Sequence, residues 1–440
     1  MEIQAADRSQ TLSAPLAFWM RIRGSLFWIV TIAFILRIGW IILGHTYKFK
    51  TSDENFGFGW EMGRIAESIA SGRGFSNPFG PATGPATGPT AWEPPLYPYL
   101  AAAAFSIFGI YSRASAFVLL TFNSACSALT CIPIFRIGRR MFSEKVAVGS
   151  AWAWALLPNV MFWCTRSIWE TSLSALLLAV ITWRALTMEE RNGLRPWLEF
   201  GVLWGIAALN SPSLLSFLPA AGLWAWYRRA KAGKKSIAGI VLASAVFFAC
   251  ITPWLVRDYQ TFGRFIFIRD NFGAELRLGN GNGADGTLML YLDPPHDPYA
   301  MRQFAAMGEL AYIAMRKQQA VDYIKADYAR FAVLCFRRFV YFWASPPKPT
   351  QPAWLEPVKQ SLFLGSSILA LWGLGLALAQ ARRGAWLLFW LVVLYPAIYY
   401  VVYAIPRYRH PIEPELAILG VLLIVEAIAG KAPKRGTAVS

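Results

Sequence analysis

Apolar runs of roughly twenty residues recur along the chain, the first reading LFWIVTIAFILRIGWIILG at 26–44, and no other feature limits the fold as much. Wound as a helix, a run of that length spans about 30 Å, the thickness of a bilayer's hydrocarbon core. Helices satisfy their own backbone hydrogen bonds, so they are stable where water is absent. Of 440 residues 56% are hydrophobic and only 15% charged, more apolar surface than a water-soluble domain can hide. The expected fold class is all-α: a polytopic helical membrane protein with about ten transmembrane helices and two large external loops containing surface helices. The spans fall near 24–44, 114–135, 146–164, 168–187, 197–212, 213–228, 236–256, 360–380, 384–404 and 411–430.

The net charge of +17 points to orientation rather than to nucleic acid, because no basic stripe is interleaved with stacking aromatics. Much of it lies in short clusters between spans: Arg21 and Arg23, Arg136 to Lys145, Arg184 to Arg195, Arg228 to Lys235, Arg382 and Arg383, and Lys431 to Arg435. Cytoplasmic loops collect such clusters. All of them can face the cytoplasm on one condition, that PLYPYLAAAAFSIFGIY (96–111) does not cross the membrane. The expected organisation is then a cytoplasmic segment 1–23 and an N-terminal transmembrane module 24–256 with an external loop 45–113. A second external loop 257–358, C-terminal helices 359–430 and a cytoplasmic tail 431–440 follow. The first span reads as a retained anchor rather than a cleaved signal. Short loops favour a bacterial inner membrane with the external face in the periplasm.

Charge gathers in TSDENFGFGWEMGRIAESIASGRGF (51–75), directly after the first span. Met62, Ile65, Ala66 and Ile69 repeat at helical spacing opposite Glu61, Arg64, Glu67 and Ser68, and Gly72 is a stop, which predicts a short helix lying apolar side down on the membrane. GPATGPATGPT reads as a flexible spacer. In the second loop RDNFGAELRLGNGNGADG is rich in turn signals, and AVDYIKADYARFAVLCFRRFVYFW reads as another surface helix.

Asp53 and Glu54 put a carboxylate pair at the rim of the bundle, where half-dry surroundings raise pKa values and suit a general base; the alternative is that they solvate a helix end. Glu93 stands beside the rigid Pro94-Pro95 turn. Arg407, Arg409 and His410 in PRYRHPIEPE lie on the outer side against the charge trend, and an arginine fork fits phosphate. They could equally pair with Glu413, Glu415 or lipid headgroups. Arg257, Arg264 and Arg269 form a second external basic group with the same two readings. Arg37, inside the first span, must snorkel or find a carboxylate, and Arg166 and Glu170, four apart, could pair on one helix face. Five cysteines without ligand spacing, and scattered His45, His296 and His410, assign no metal site.

In order along the chain, SDEN after the first span, WEMGRIAESIASGRGF, PPLYPYL…FSIFG followed by RIGRRMF, and RYRHPIEP before the last span resemble the C-type glycosyltransferases. The likeness is to the bacterial relatives of protein O-mannosyltransferases and of the lipid A aminoarabinose transferase, which take a sugar from a polyprenyl-phosphate carrier. The resemblance implies transfer from such a donor to a lipid, glycan or protein acceptor, with Asp53 as the acceptor-activating base and Glu54 beside it. The Pro-Pro-Leu motif is preceded by Lys or His in some relatives and by Glu93 here. The expected substrate contacts are therefore Glu61, Glu93, Arg257, Arg407, Arg409 and His410, with donor phosphate on Arg407 and Arg409. Some C-type enzymes bind a divalent cation beside the acidic motif; Asp53 and Glu54 alone are too few ligands to assign one. A ligase or polymerase of lipid-linked glycans, a flippase and a non-catalytic assembly factor stand as competing readings.

Overall fold

The computed structural model describes residues 24–49, 56–80, 86–234, 236–347 and 354–430. Among them the named elements are all helical, and the one cross-chain pairing is an isolated bridge between Ser76 and Pro89. Helices α1 (Leu26–Leu43), α2 (Glu61–Ala70) and α3 (Leu96–Phe108) come first. The next, α4 (Arg113–Leu129), runs on into α5 (Cys131–Met141), and α6 (Glu144–Leu156) bends by 48° into α7 (Pro158–Arg166). They are followed by α8 (Thr171–Thr187), α9 (Arg195–Asn210), α10 (Leu218–Lys231) and α11 (Ile237–Phe262). The second loop holds α12 (Phe272–Gly279), α13 (Pro298–Met307), α14 (Glu309–Ala326) and α15 (Tyr328–Ala344). The chain closes with α16 (Leu355–Ala379), α17 (Ala385–Leu394), α18 (Ala397–Val401) and α19 (Glu413–Gly430).

A helix thus lies over each expected span, but length and apolarity single out fewer. Among the described residues four stretches are long and apolar enough to cross a membrane: α1, α4 with α5, α11 and most of α16; the bent pair α6–α7 makes a fifth if taken as one. Helices α8, α9, α10 and α17 are shorter, and α19 carries Glu413, Glu415 and Glu426, so a count of ten does not follow from length and composition. The disputed stretch 96–111 forms α3, whose 13 residues extend only about 20 Å, short of a hydrocarbon core.

The α6–α7 bend explains Arg37. In a continuous helix the carbonyl of Trp154 would accept from residue 158, but that residue is a proline with no N–H. Arg37 supplies the missing donor: its Nη2 reaches Trp154 O at 3.1 Å and its Nη1 reaches Ala155 O at 3.1 Å, while Nε donates to Ser127 Oγ at 3.1 Å. The guanidinium therefore neither snorkels nor meets a carboxylate; it is fully buried and mends a broken helix.

Helix α2 also departs from expectation. The helix is where the periodicity puts it, yet both faces are buried, Glu61 to Ser68 included. Its Met62 and Ala66 pack with Tyr97, Ala101 and Phe105 of α3 and with Leu119 of α4, and Ile65 packs against Phe75, Ile251, Trp254 and Ile268. Apolar surface that would have faced lipid is covered by α3 and α11, so this is an interior helix rather than a surface one. The stretch predicted as one amphipathic helix breaks at Asp327, whose side chain caps α15 by accepting from Arg330 N. Beyond the break Val333, Phe336 and Phe339 of α15 are exposed.

The bundle has two distinct ends. Helix α8 has Glu170 just before its start and Glu189 just past its finish, 17 residues or about 25 Å of helix apart. At the Glu189 end three of the basic clusters converge on that one carboxylate: Arg140 at 3.1 Å, Arg228 at 2.6 Å and Arg383 at 3.1 Å. These clusters come from loops far apart in sequence, and they share one face of the molecule.

Candidate active site

At the Glu170 end five interruptions of helix meet. The 3-10 turn Phe56–Phe58 lies against the break between α7 and α8, with Ile168 N donating to Gly57 O at 3.1 Å. Gly59 lies at φ +82°, and a Cβ there would come within 2.5 Å of Ile168 O, so the approach of these two segments requires glycine. The backbone of Asp270, between α11 and α12, donates to Ala91 O at 2.9 Å, which brings the 264–271 segment beside the Glu93-Pro94-Pro95 turn. The 3-10 turn Pro406–Ile412 packs on α8. Proline and glycine stop the helices here, and the loops they free carry the charge.

Arg407 lies with its guanidinium carbon 3.5 Å from the centroid of the Trp169 ring. Its Nε and Nη1 are buried and make no hydrogen bond. Burial pulls its pKa down, but the attraction of Glu170, the Tyr408 and Tyr403 hydroxyls and Glu93 outweighs it and holds the group above its ordinary value. None of the acids forms a direct ion pair with it, so a charged fork is kept with donors unspent. Arg269 is the second cation, with Nη1 3.7 Å from Glu93 Oε2; Glu93 and Glu275 outweigh its burial too and hold it above its usual range.

Glu93 is pushed by burial up to about 7, against the pull of Arg269. Glu275 accepts from the Tyr403 hydroxyl and, at 2.9 Å, from Asn271 Nδ2; burial raises it also. The Tyr408 hydroxyl donates to the Tyr403 hydroxyl at 3.0 Å, giving a short relay along the wall. Deeper in, Glu61 and Asp293 are both buried and both raised, Glu61 by burial and then by the charges of Asp293 and Glu93, Asp293 by burial against the pull of His296. His296 Nδ1 stands 3.6 Å from Asp293 Oδ2. The arrangement combines a fixed cationic fork with carboxyls that can hold or release a proton near neutrality.

Of the expected site residues, Glu61, Glu93 and Arg407 are brought together. Asp53 and Glu54 lie outside the described residues. Arg409 is corrected: Pro406–Ile412 is a 3-10 turn of three residues per turn, so positions two apart face different ways. Arg409 points into the core, with Nε on Glu413 Oε1 at 2.6 Å, Nη1 on Phe363 O at 3.1 Å and Nη2 on Ser366 Oγ at 2.8 Å. It pairs with Glu413, as the alternative reading had it, and is spent there. His410 packs in the core against Trp154, ring centroids 5.5 Å apart, rather than beside Arg407. Arg257 is a brace, donating to Thr90 O at 2.7 Å, to Phe75 O at 2.8 Å and to Asp258, with its face on Trp254. Arg166 and Glu170 do not pair: α7 ends at Arg166, which stacks on Phe162, and Glu170 belongs to the Arg407 cluster.

Glu275, Asp293, Trp169, Tyr403 and Tyr408 were not singled out from the sequence. Glu275 lay within a stretch read as turns, which is helix α12. Among the described residues no three His, Cys, Asp or Glu side chains are placed to hold a metal ion.

Residues 92–256, under half of the chain, match the family described as dolichyl-phosphate-mannose-protein mannosyltransferase. No curated protein matches the sequence. The oligosaccharyltransferase of Archaeoglobus fulgidus tethered with an acceptor peptide is similar over 92% of this chain and 50% of that one, with 14% identity and a TM-score of 0.54. The same enzyme, AglB, in complex with an inhibitory peptide and a dolichol-phosphate matches over 93% and 52%, at 14% identity and TM-score 0.52. ArnT from Cupriavidus metallidurans bound to undecaprenyl phosphate covers 94% and 79% at 12% identity and TM-score 0.40. The chain spans about half the length of the archaeal enzyme, and at such identity the likeness is one of fold. Together with the matched segment it bears out the C-type glycosyltransferase resemblance carried by the motifs.

Proposed function

We propose that the protein is an integral-membrane glycosyltransferase that moves a sugar from a polyprenyl-phosphate carrier to an acceptor hydroxyl on a lipid, glycan or protein. The reaction takes place at the external face, in a bacterial inner membrane the periplasmic one. The observation that carries this reading is Arg407: a guanidinium fixed over Trp169, with Nε and Nη1 buried and unspent. Such a fork suits the oxygens of a phosphate monoanion. The dolichol-phosphate held by the archaeal enzyme of the same fold is in keeping with a donor of this kind.

In the proposed mechanism Arg407, backed by Arg269, meets the negative charge that develops on the departing polyprenyl phosphate. The acceptor oxygen attacks the anomeric carbon, the bond to phosphate breaks, and the hydroxyl proton passes to a carboxylate. One displacement inverts the configuration, with no glycosyl-enzyme intermediate. Asp53, with Glu54 beside it, is the proposed base; it precedes by three residues the turn that joins the α7–α8 break. Glu93 holds Arg269, and Glu61 lines the inner wall.

Transfer of radiolabelled sugar from a panel of polyprenyl-phosphate sugars, by purified protein in lipid, tests the reading. Arg407→Gln should lower transfer about 10²–10³-fold, and Asp53→Asn about 10²–10⁴-fold. Equal activity of wild type and Asp53→Asn would remove Asp53 as base and turn attention to Glu93. A wild type that binds the lipids yet transfers from none of them would favour a flippase or an assembly factor.

A further inference from the structure

Behind Asp293 lies a small recess that the proposed mechanism leaves unused. Its wall includes Arg277 from α12, Tyr312 and Arg316 from α14, and Asp293 itself, whose carboxylate also interacts with His296 and Glu61. Arg316 is 6% exposed, lies 4.8 Å from the Tyr312 ring centroid, and has a buried Nε that makes no hydrogen bond. Arg277 Nε and Arg316 Nη1 share the neutral acceptor Gln319 Oε1, at 3.3 and 3.2 Å, and Arg277 Nη1 also donates to Asn280 O at 3.1 Å. Neither arginine has a carboxylate within ion-pair distance among the described residues, although the charge of Asp293 reaches Arg316 across the recess. Two guanidinium groups held this close repel each other, and burial followed by the charge of Arg316 lowers the pKa of Arg277. Helix geometry enforces the proximity: Arg316 and Gln319, three apart, lie on one face of α14, which packs along α12.

We infer that this recess is a second anion site, one that takes a carboxylate or phosphate group carried by the substrate away from the bond that breaks. The recess is too small for a sugar ring, so such a group reaches it with one oxygen and otherwise stays at its mouth. Because it shares Asp293 with the catalytic cluster, the group it holds belongs to a molecule already bound there: an anionic acceptor or the sugar of the donor. The assignment to a substrate rests on the proposed transfer reaction; the anion site itself does not.

Inorganic phosphate is the first probe. Full-length protein in nanodiscs, carrying Arg407→Gln to disable the donor cradle, should be thermally stabilised by phosphate in a saturable way, and glycerol at equal concentration should do nothing. The stabilisation should vanish when Arg316→Gln is added and persist with Arg316→Lys, which also controls for folding. No phosphate effect in Arg407→Gln, or an effect that survives Arg316→Gln, overturns the site while leaving the transferase reading intact. The source is read from transfer by the Arg316→Gln single variant. Donors bearing glucuronate or glucose form one arm, and acceptor glycolipids with or without a phosphate form the other. A rise of about tenfold in KM, confined to the charged member of one arm with kcat little changed, identifies the ligand. Equal losses on charged and neutral members would make Arg316 merely structural and refute the assignment.

Discussion

The two ends of the bundle use the same residue types to opposite purposes. At the Glu189 end arginine is in excess and two acids are saturated: Glu189 meets Arg140, Arg228 and Arg383, and Glu199 meets Arg191 at 2.6 Å with Arg184 and Arg195 beside it. At the Arg407 end Glu93 is pushed up to about 7 by burial, and the arginine keeps its donors. Satisfied pairs fix loops in place; unsatisfied ones are held apart by the fold and remain ready for something else. Function is therefore sought where the electrostatics are unresolved.

The contrast can be broken most directly by exchanging a charge at each end. Arg407→Gln should abolish nearly all transfer, about 10²–10³-fold, while the thermal midpoint moves little, since no hydrogen bond of Nε or Nη1 is lost. A large fall in stability with unimpaired kcat would reverse the assignment of the two ends. Glu309 offers the next largest effect. It accepts from Thr90 Oγ1 and, at 2.6 Å, from Ala91 N, yet burial raises it to about 7. The folded protein then holds a proton that the unfolded chain releases near pH 4.5, so stability falls as pH rises from about 4.5 to 7 and levels off above. The shift corresponds to about 3 kcal/mol, and Glu309→Gln should flatten that slope in denaturant titrations across this range.

Glu189→Gln should cost about 1–3 kcal/mol of stability by leaving three arginines short of an acceptor. Its kcat should stay within about twofold, a difference small beside the losses that removal of a transition-state contact brings; a larger loss would mean that the ends are coupled. The smallest effect sharpens the scaffold. Pro158→Ala restores an N–H for Trp154 O, so it should offset part of the damage from Arg37→Leu, with a coupling of about 1 kcal/mol in a double-mutant cycle. Additive losses would mean that Arg37 does not serve the bend.

Much of this was legible in the sequence because it is local. The apolar runs, the helix over Glu61–Ala70 and the charges at 93 and 407 are written in spacings of a few residues. What was lost is what depends on distant approach. Glu275 joins Tyr403 across more than a hundred positions, and no periodicity reports that. Arg166 and Glu170 were paired on the assumption of a continuous helix, which the turn between α7 and α8 denies. Arg407 and Arg409 look equivalent in a string of letters, and only the 3-10 winding sends one to the site and the other to Glu413. That α2 is interior could not be recognised, because its apolar face is covered by α3 and α11 rather than by lipid.

Arg37 also bears on how the chain is made. It lies near the middle of α1, where an unaccompanied guanidinium costs about 2.5–3.5 kcal/mol to insert. Its hydrogen-bond acceptors at Ser127, Trp154 and Ala155 are synthesised about a hundred residues later. A nascent chain arrested short of the α6–α7 bend should therefore leave α1 incompletely integrated, and one arrested beyond it should secure α1. The order of translation thus makes the first helix wait for the third span of the bundle before its own insertion is complete.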